Sequence, residues 1–454
     1  MQAVDSLHAV VNARGSARFT VVLVWLLWSL SGVAVCAQDL PRPPGLEPDI
    51  AFWRRIFTEI DAEHGLLHDN RYLGVVYDTL DLPPGAGTRE LNRVYDKARN
   101  HYRQILLQLA KGNRKQLNRE QARVLRLWPK GVSSAELRRA ADRLRVQQGM
   151  ADRFRAGFVR SGLWMAHIRS SLAEAGVPAA LAALPHVESS FDPGVYSLVG
   201  ASGLWQFTRA TGKHYLTIDY VVDERRDPFI SSEAAARLLR DNYDKLDSWP
   251  LAITAYNHGI TGMRRAVRTL GTKDIEKIVR NYEGRSFGFA SRNFYVAFLA
   301  AADIDANPSR YLGKLKREAP RQEMVVTLPH YVSVKALEKS FGIPAAVWRE
   351  HNPALLDVVW QGAKHVPKGF GLRVPTAKLK AQQADFLAAI PASFRLQAQS
   401  PDRYHKVQAG DALSVIARRY DTTVSELVAW NSLNDKHRIR IGQMLRLPQS
   451  GQSP

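Results

Sequence analysis

The chain is 454 residues long, about three times a typical single domain, so two or three folding units are expected. Its 45% hydrophobic and 23% charged residues are ordinary globular composition, which excludes a mainly disordered chain and a multi-span membrane protein. Sixty-three Lys and Arg against 43 Asp and Glu leave a charge of +20, which calls for an anionic partner or surface; the single cysteine, Cys36, excludes an internal disulfide framework and a cysteine zinc site.

Arg14 and Arg18 precede an apolar run from Phe19 to Ala37 that exits through Val35-Cys36-Ala37. This is the form of a secretory signal peptide over residues 1–37. The alternative is an uncleaved anchor, since the run is barely long enough to span a bilayer. Val35 argues against lipid modification of Cys36. An exported protein of the periplasm or cell envelope is expected, with membrane association left open. Residues 38–50 carry Pro41, Pro43, Pro44 and Pro48 and read as a linker.

Residues 51–160 read as a basic helical region. From 93 to 160 there are 18 Lys and Arg against five Asp and Glu, a net +13. Leu137, Leu144, Phe154 and Phe158 recur near helical spacing, with arginines between them. Export and the lack of any recognition motif argue against nucleic acid. An anionic membrane or wall surface fits better, the alternative being a solvated face without a dedicated partner.

The next stretch runs VPAALAALPHVESSFDPGVYSLVGASGLWQFTRATG from Val177. Pro178 opens a helix that Asp192-Pro193 ends, which leaves Glu188 in its last turn between Leu184 and Phe191. A carboxyl among apolar neighbours has a raised pKa and is kept protonated as a general acid. Asp192 reads as a turn residue and not as a second catalytic carboxylate.

Glu188-Ser189 is followed by Ser197, by Gly200-Ala201-Ser202-Gly203-Leu204-Trp205-Gln206 and by Ala255-Tyr256-Asn257-His258-Gly259. This ordered set resembles the lytic transglycosylases of the goose-lysozyme-like (SLT) superfamily, which cleave peptidoglycan. LPHVESSFDP and the carboxy-terminal module described below look most like the membrane-bound transglycosylase D branch. The resemblance implies a mainly helical, lysozyme-like catalytic domain, placed here at 161–315. It implies that Glu188 protonates the glycosidic oxygen and then takes the proton of the C6 hydroxyl, which closes a 1,6-anhydro ring on N-acetylmuramic acid. It further implies substrate contacts from Ser197, Gln206, Tyr256 and Asn257. Trp205 stands where the family most often has Met, as a sugar platform or a bulkier wall. The family tyrosine aligns with Phe294, so Tyr295, one residue later, is the remaining candidate. Ala290 replaces an expected acidic residue. No metal or organic cofactor is needed. A hydrolase of the same fold and a non-catalytic wall-binding scaffold are the alternatives.

Residues 404–448 hold a Gly410-Asp411 turn, an apolar helix face of Leu413, Ile416 and Tyr420, and Asn431 at the end of a second helix. They resemble a LysM domain, a βααβ unit that binds N-acetylglucosamine glycans, which implies glycan contacts near Gly410, Asp411 and Asn431. A shift of 79 residues pairs Leu413 with Val334 and Asn431 with Asn352, so 324–375 reads as a degenerate LysM-like copy, with 376–403 as linker.

Overall fold

The computed structural model describes residues 40–448, other than 113, 377, 378, 380–382, 403 and 434–438. The expected signal peptide and Cys36 lie outside these residues. A 3-10 turn over Pro44–Leu46 leads into α1 (Glu47–Thr58), with Pro48 in the first turn, where a missing N–H costs no hydrogen bond. Ile50, Phe52, Trp53, Ile56 and Phe57 bury one face of α1. Of the linker expected over 38–50, the residues from Pro41 onward are docked and do not behave as one. Leu46 is fully buried, Tyr295 Oη donates to the Pro41 carbonyl at 2.8 Å, and Arg42 bridges Asp303 and Glu47.

The region expected to be helical throughout contains a sheet. The elements are β1 (His64–Asp69), β2 (Val76–Asp81), α2 (Thr88–Ala110), α3 (Arg119–Arg126), α4 (Ser134–Ala141), β3 (Leu144–Gln148) and α5 (Ala151–Ser161). The strands pair antiparallel in the order β2-β1-β3, with Leu66 opposite both Thr79 and Gln147. β1 is central and buried from Gly65 to Asp69, so it lacks the alternation that marks a half-buried strand. Leu137 and Leu144 belong to a small core under α2–α4, whereas Phe154 and Phe158 face the main core. Their helical spacing was accidental.

The main bundle continues with α6 (Met165–Glu174), a 3-10 turn over Ala179–Ala183, α7 (Leu184–Glu188) and α8 (Arg209–Gly212). It is completed by α9 (Pro228–Leu246), α10 (Trp249–His258), α11 (Ile260–Leu270), α12 (Ile275–Asn281), α13 (Phe289–Ala306) and α14 (Pro308–Leu312). Every residue of α13 from Ser291 to Ala301 is buried, as expected of a helix that is apolar on all sides. α1, α7 and α10 pack on it. Because α1 and α5 share this core, the folding unit that holds residues 161–315 starts well before residue 161. No helix among the described residues is long and apolar enough to cross a membrane.

The chain then forms β4 (Glu323–Thr327), α15 (Val334–Phe341), α16 (Ala345–His351), α17 (Asp357–Trp360) and β5 (Gly371–Pro375). After α18 (Gln383–Ala389), the plan returns in β6 (Tyr404–Lys406), α19 (Leu413–Arg419), α20 (Val424–Trp430) and β7 (Met444–Arg446). One device recurs in both units. Asn352 Nδ2 donates to the Trp348 and Arg373 carbonyls, and its Oδ1 accepts from Arg373 N at 2.8 Å. Asn431 does the same with Leu427 and Arg446. Each asparagine clamps the second helix to the last strand, which is why the residue recurs at both positions. The stretch expected as a linker, 376–403, is partly absorbed by the first unit, where Phe386 stacks on Phe341 at 4.2 Å and Leu396 pairs with Tyr331. That unit also docks on the bundle through the Val222–Leu355 bridge and the Arg373–Asp227 ion pair at 3.2 Å.

Candidate active site

Glu188 ends α7, and the chain reverses immediately after it. Ser189 Oγ donates to the Leu204 carbonyl at 2.8 Å, then Ser190 and Phe191 adopt φ of 52° and 53°. Left-handed backbone is costly for non-glycine residues and persists only where surroundings enforce it. Arg160 enforces it here, donating to the Ser190 carbonyl at 2.8 Å and the Phe191 carbonyl at 3.2 Å. Gly157 permits the approach, since a Cβ there would sit 2.4 Å from the Ser190 carbonyl oxygen. His186, fully buried, stacks on Phe154 at 4.3 Å and meets Asp305 at 3.3 Å, which fixes α7 from behind.

The Glu188 side chain is half-buried, and among the described residues none forms a hydrogen bond or ion pair with it. Burial alone pushes its pKa up to about 8. Burial, with the Glu188 charge as a second cause, also raises the Tyr256 hydroxyl well above its ordinary value, and the two residues' surroundings meet where Ser189 bonds the Leu204 carbonyl and Tyr256 that of Trp205. Tyr256 Oη donates to the Trp205 carbonyl at 2.8 Å, and its ring lies nearly parallel to Phe294 at 6.4 Å. Asn257 is exposed and accepts a bond from Ser291 Oγ at 2.8 Å.

The loop from 195 to 207 forms the other side. Ser197 braces its tip, with Oγ accepting from Ala201 N at 2.9 Å. Gln206, at φ 48°, donates from Nε2 to the Gly203 carbonyl at 2.9 Å and the Val195 carbonyl at 3.2 Å. Gly203 has φ 79° and a Cβ there would lie 1.8 Å from the Arg225 carbonyl oxygen, so only glycine fits. Arg225 ties the loop down: it pairs bidentately with Asp223 and donates to the Gly200 and Phe207 carbonyls. Tyr196, Leu198 and Val199 stand exposed at the tip. Asp192 accepts from Gly194 N at 2.8 Å, as a turn residue does.

Glu188 and Tyr256 are therefore brought together, with Asn257 next to Tyr256 on α10, and Ser197 and Gln206 within the facing loop. Tyr295 is not brought to this site. It is fully buried and its hydroxyl is bound to Pro41, because on α13 the residue facing Tyr256 is its neighbour Phe294. Trp205 is core, fully buried with Nε1 bonded to Ser232 Oγ at 2.8 Å, and is not a sugar platform. In the last module Gly410 takes φ 86°, Asp411 accepts from Gln408 N and pairs with His405, and Asn431 is spent on its clamp. These three shape the module, while its exposed apolar side chains are Tyr404, Val415, Ile441 and Met444. Sequence reasoning missed Arg160, Arg225 and Ser291. Arginines in a strongly basic chain carry no sequence signal that separates a buried brace from a solvated charge.

A helical, lysozyme-like domain with a half-buried, unpartnered acid and a glycine-containing loop, followed by a βααβ module, defines the class. Residues 165–279 match the model of the transglycosylase SLT domain and residues 405–448 that of the LysM domain, so the chain carries both. It is 26% identical over 314 residues to the membrane-bound lytic murein transglycosylase D of Escherichia coli (strain K12), and equally to that of Escherichia coli O6:H1. Each match covers 64% of this chain and 64% of the relative, so the chain spans less than two thirds of those proteins. The lytic transglycosylase Slt of Pseudomonas aeruginosa aligns over 49% of this chain and 33% of its own, at 18% identity and a TM-score of 0.26.

Proposed function

We propose that the protein is a lytic transglycosylase of the cell envelope, cleaving the bond between N-acetylmuramic acid and N-acetylglucosamine in peptidoglycan without water. The observation that carries this reading is the unpartnered Glu188 carboxyl, held protonated near neutral pH by burial. Such a group donates its proton to the leaving glycosidic oxygen as the C1–O bond breaks. The resulting carboxylate then accepts the C6 hydroxyl proton while that oxygen attacks C1 and closes the 1,6-anhydro ring. One carboxyl thus serves both steps, whereas most glycosidases, which activate water, use a second. Asp192, the nearest in sequence, is committed to its turn. Tyr256 and Asn257 are suited to hold the reacting sugar beside Glu188, with Ser197 and Gln206 shaping the opposite wall.

The LysM domain, and with it the 324–375 copy, would hold the enzyme on glycan strands. The basic face of α2–α4 suits an anionic wall or membrane surface and raises local concentration there. The test is Glu188→Gln. Loss of a general acid costs ~10²–10⁴-fold in rate. A folded Gln variant that still digests purified peptidoglycan at near the parent rate refutes the assignment.

A further inference from the structure

Residues 223–227 are charged without exception, yet Asp223, Arg225 and Asp227 are buried at 6, 2 and 2% exposure. Buried charges persist only where partners are supplied. Asp223 and Arg225 supply one another. Asp227 caps α9, accepting from Phe229 N at 2.8 Å and Ile230 N at 3.1 Å, but its cation comes from outside the bundle. Arg373 of β5 pairs with it at 3.2 Å and lays its guanidinium 3.8 Å from the centre of the Phe229 ring.

The backbone is joined at the same place. Asp223 N donates to the Ala354 carbonyl at 2.8 Å, and Leu356 N donates to the Val221 carbonyl at 2.9 Å. Val222, between these bonds, is buried in the apolar cluster of the 324–375 unit, together with Leu355 and Trp348. A module that swings on a linker keeps its core to itself. This unit shares its core with the bundle.

Residues 221–227 are also the base of the loop beside the acid. Arg225 donates to the Gly200 and Phe207 carbonyls, and its own carbonyl oxygen is the atom that leaves room only for glycine at 203. The other end of that loop reaches the surroundings of Glu188, where the Leu204 carbonyl accepts from Ser189 Oγ and the Trp205 carbonyl from Tyr256 Oη. We infer that the 324–375 unit, beyond any hold it has on glycan, positions the catalytic site: Arg373 and Leu355 fix residues 221–227, and Arg225 passes that constraint to the 195–207 wall. Its Val222 contact and Arg373 are positioning features that touch no substrate. The consequence for catalysis rests on the function proposed above.

Hydrogen–deuterium exchange on the full chain, read over 195–207, compares the parent with Val222→Ala and Arg373→Met. Neither change touches the loop itself, and Val222→Ala is a small truncation that keeps the fold. The Ser197, Ser202 and Gly203 amides bond within the loop and report its order. Their exchange speeds up ~10-fold in both variants while α1 and α13 keep the parent rates, and Arg373→Lys restores most of the protection. Turnover of a short soluble glycan falls ~10-fold, chiefly in kcat, because a displaced wall costs the reacting geometry. Parent rates in the loop of both variants, a speed-up spread equally over α1 and α13, or Arg373→Lys no better than Arg373→Met overturns the inference. Faster loop exchange with unchanged turnover overturns it as well. A parent that cleaves no glycan refutes the catalytic reading alone, and the exchange comparison still decides whether the unit orders the loop.

Discussion

Replacing Glu188 by glutamine should stabilise the protein as it inactivates it. Burial raises this carboxyl from the ordinary 4.5 to about 8, so the folded state holds a proton that the unfolded chain releases above pH 4.5. Below 4.5 both states are protonated and the group contributes nothing to stability. Between 4.5 and 8 stability falls as pH rises, and above 8 the loss is complete. At pH 7 the gap is about 2.5 pH units above the unfolded value, or ~3 kcal/mol at 1.36 kcal/mol per unit, an upper bound because the side chain is only half-buried. Glutamine mimics the protonated acid and escapes this cost. Urea unfolding of both proteins at pH 4.5 and pH 7 should give nearly equal stabilities at the lower pH and a more stable variant at the higher. A glutamine variant less stable at pH 7, or a difference independent of pH, refutes the claim that burial sets this proton.

Arg225→Met removes the buried partner of Asp223 and the donors to Gly200 and Phe207, so a loss of ~3–5 kcal/mol and of wall cleavage is expected, read by urea unfolding and turnover. Asn431→Ala leaves the Leu427 and Arg446 groups without their clamp and should cost ~1–3 kcal/mol, seen as faster amide exchange in 404–448 with the bundle unchanged. Deleting 400–454 should reduce retention on insoluble peptidoglycan in a pull-down while turnover of a short soluble glycan changes little, since tethering alters local concentration and not chemistry.

The raised pKa of Glu188 was legible because apolar residues, a proline and a turn surround it within a few residues. The βααβ repeat was legible because its asparagine clamp and core spacing recur along one chain. What escaped depended on contacts distant in sequence. β1, His-Gly-Leu-Leu-His-Asp, escaped because it is buried along its length and shows no alternation of apolar and polar residues. Tyr295 lost its expected role because one step along α13 turns a side chain by about 100°, from the groove to Pro41. The Asn257–Ser291 bond joins residues 34 apart, on two helices that no local pattern pairs.

The central claim is that one carboxyl, without an activated water, breaks the glycan strand. Mass spectrometry of the soluble products released from purified peptidoglycan tests it most directly. Each muramic end should carry the 1,6-anhydro ring and weigh one water, about 18 Da, less than a lysozyme product. Reducing muramic ends as the main product would contradict the account and establish a hydrolase in its place.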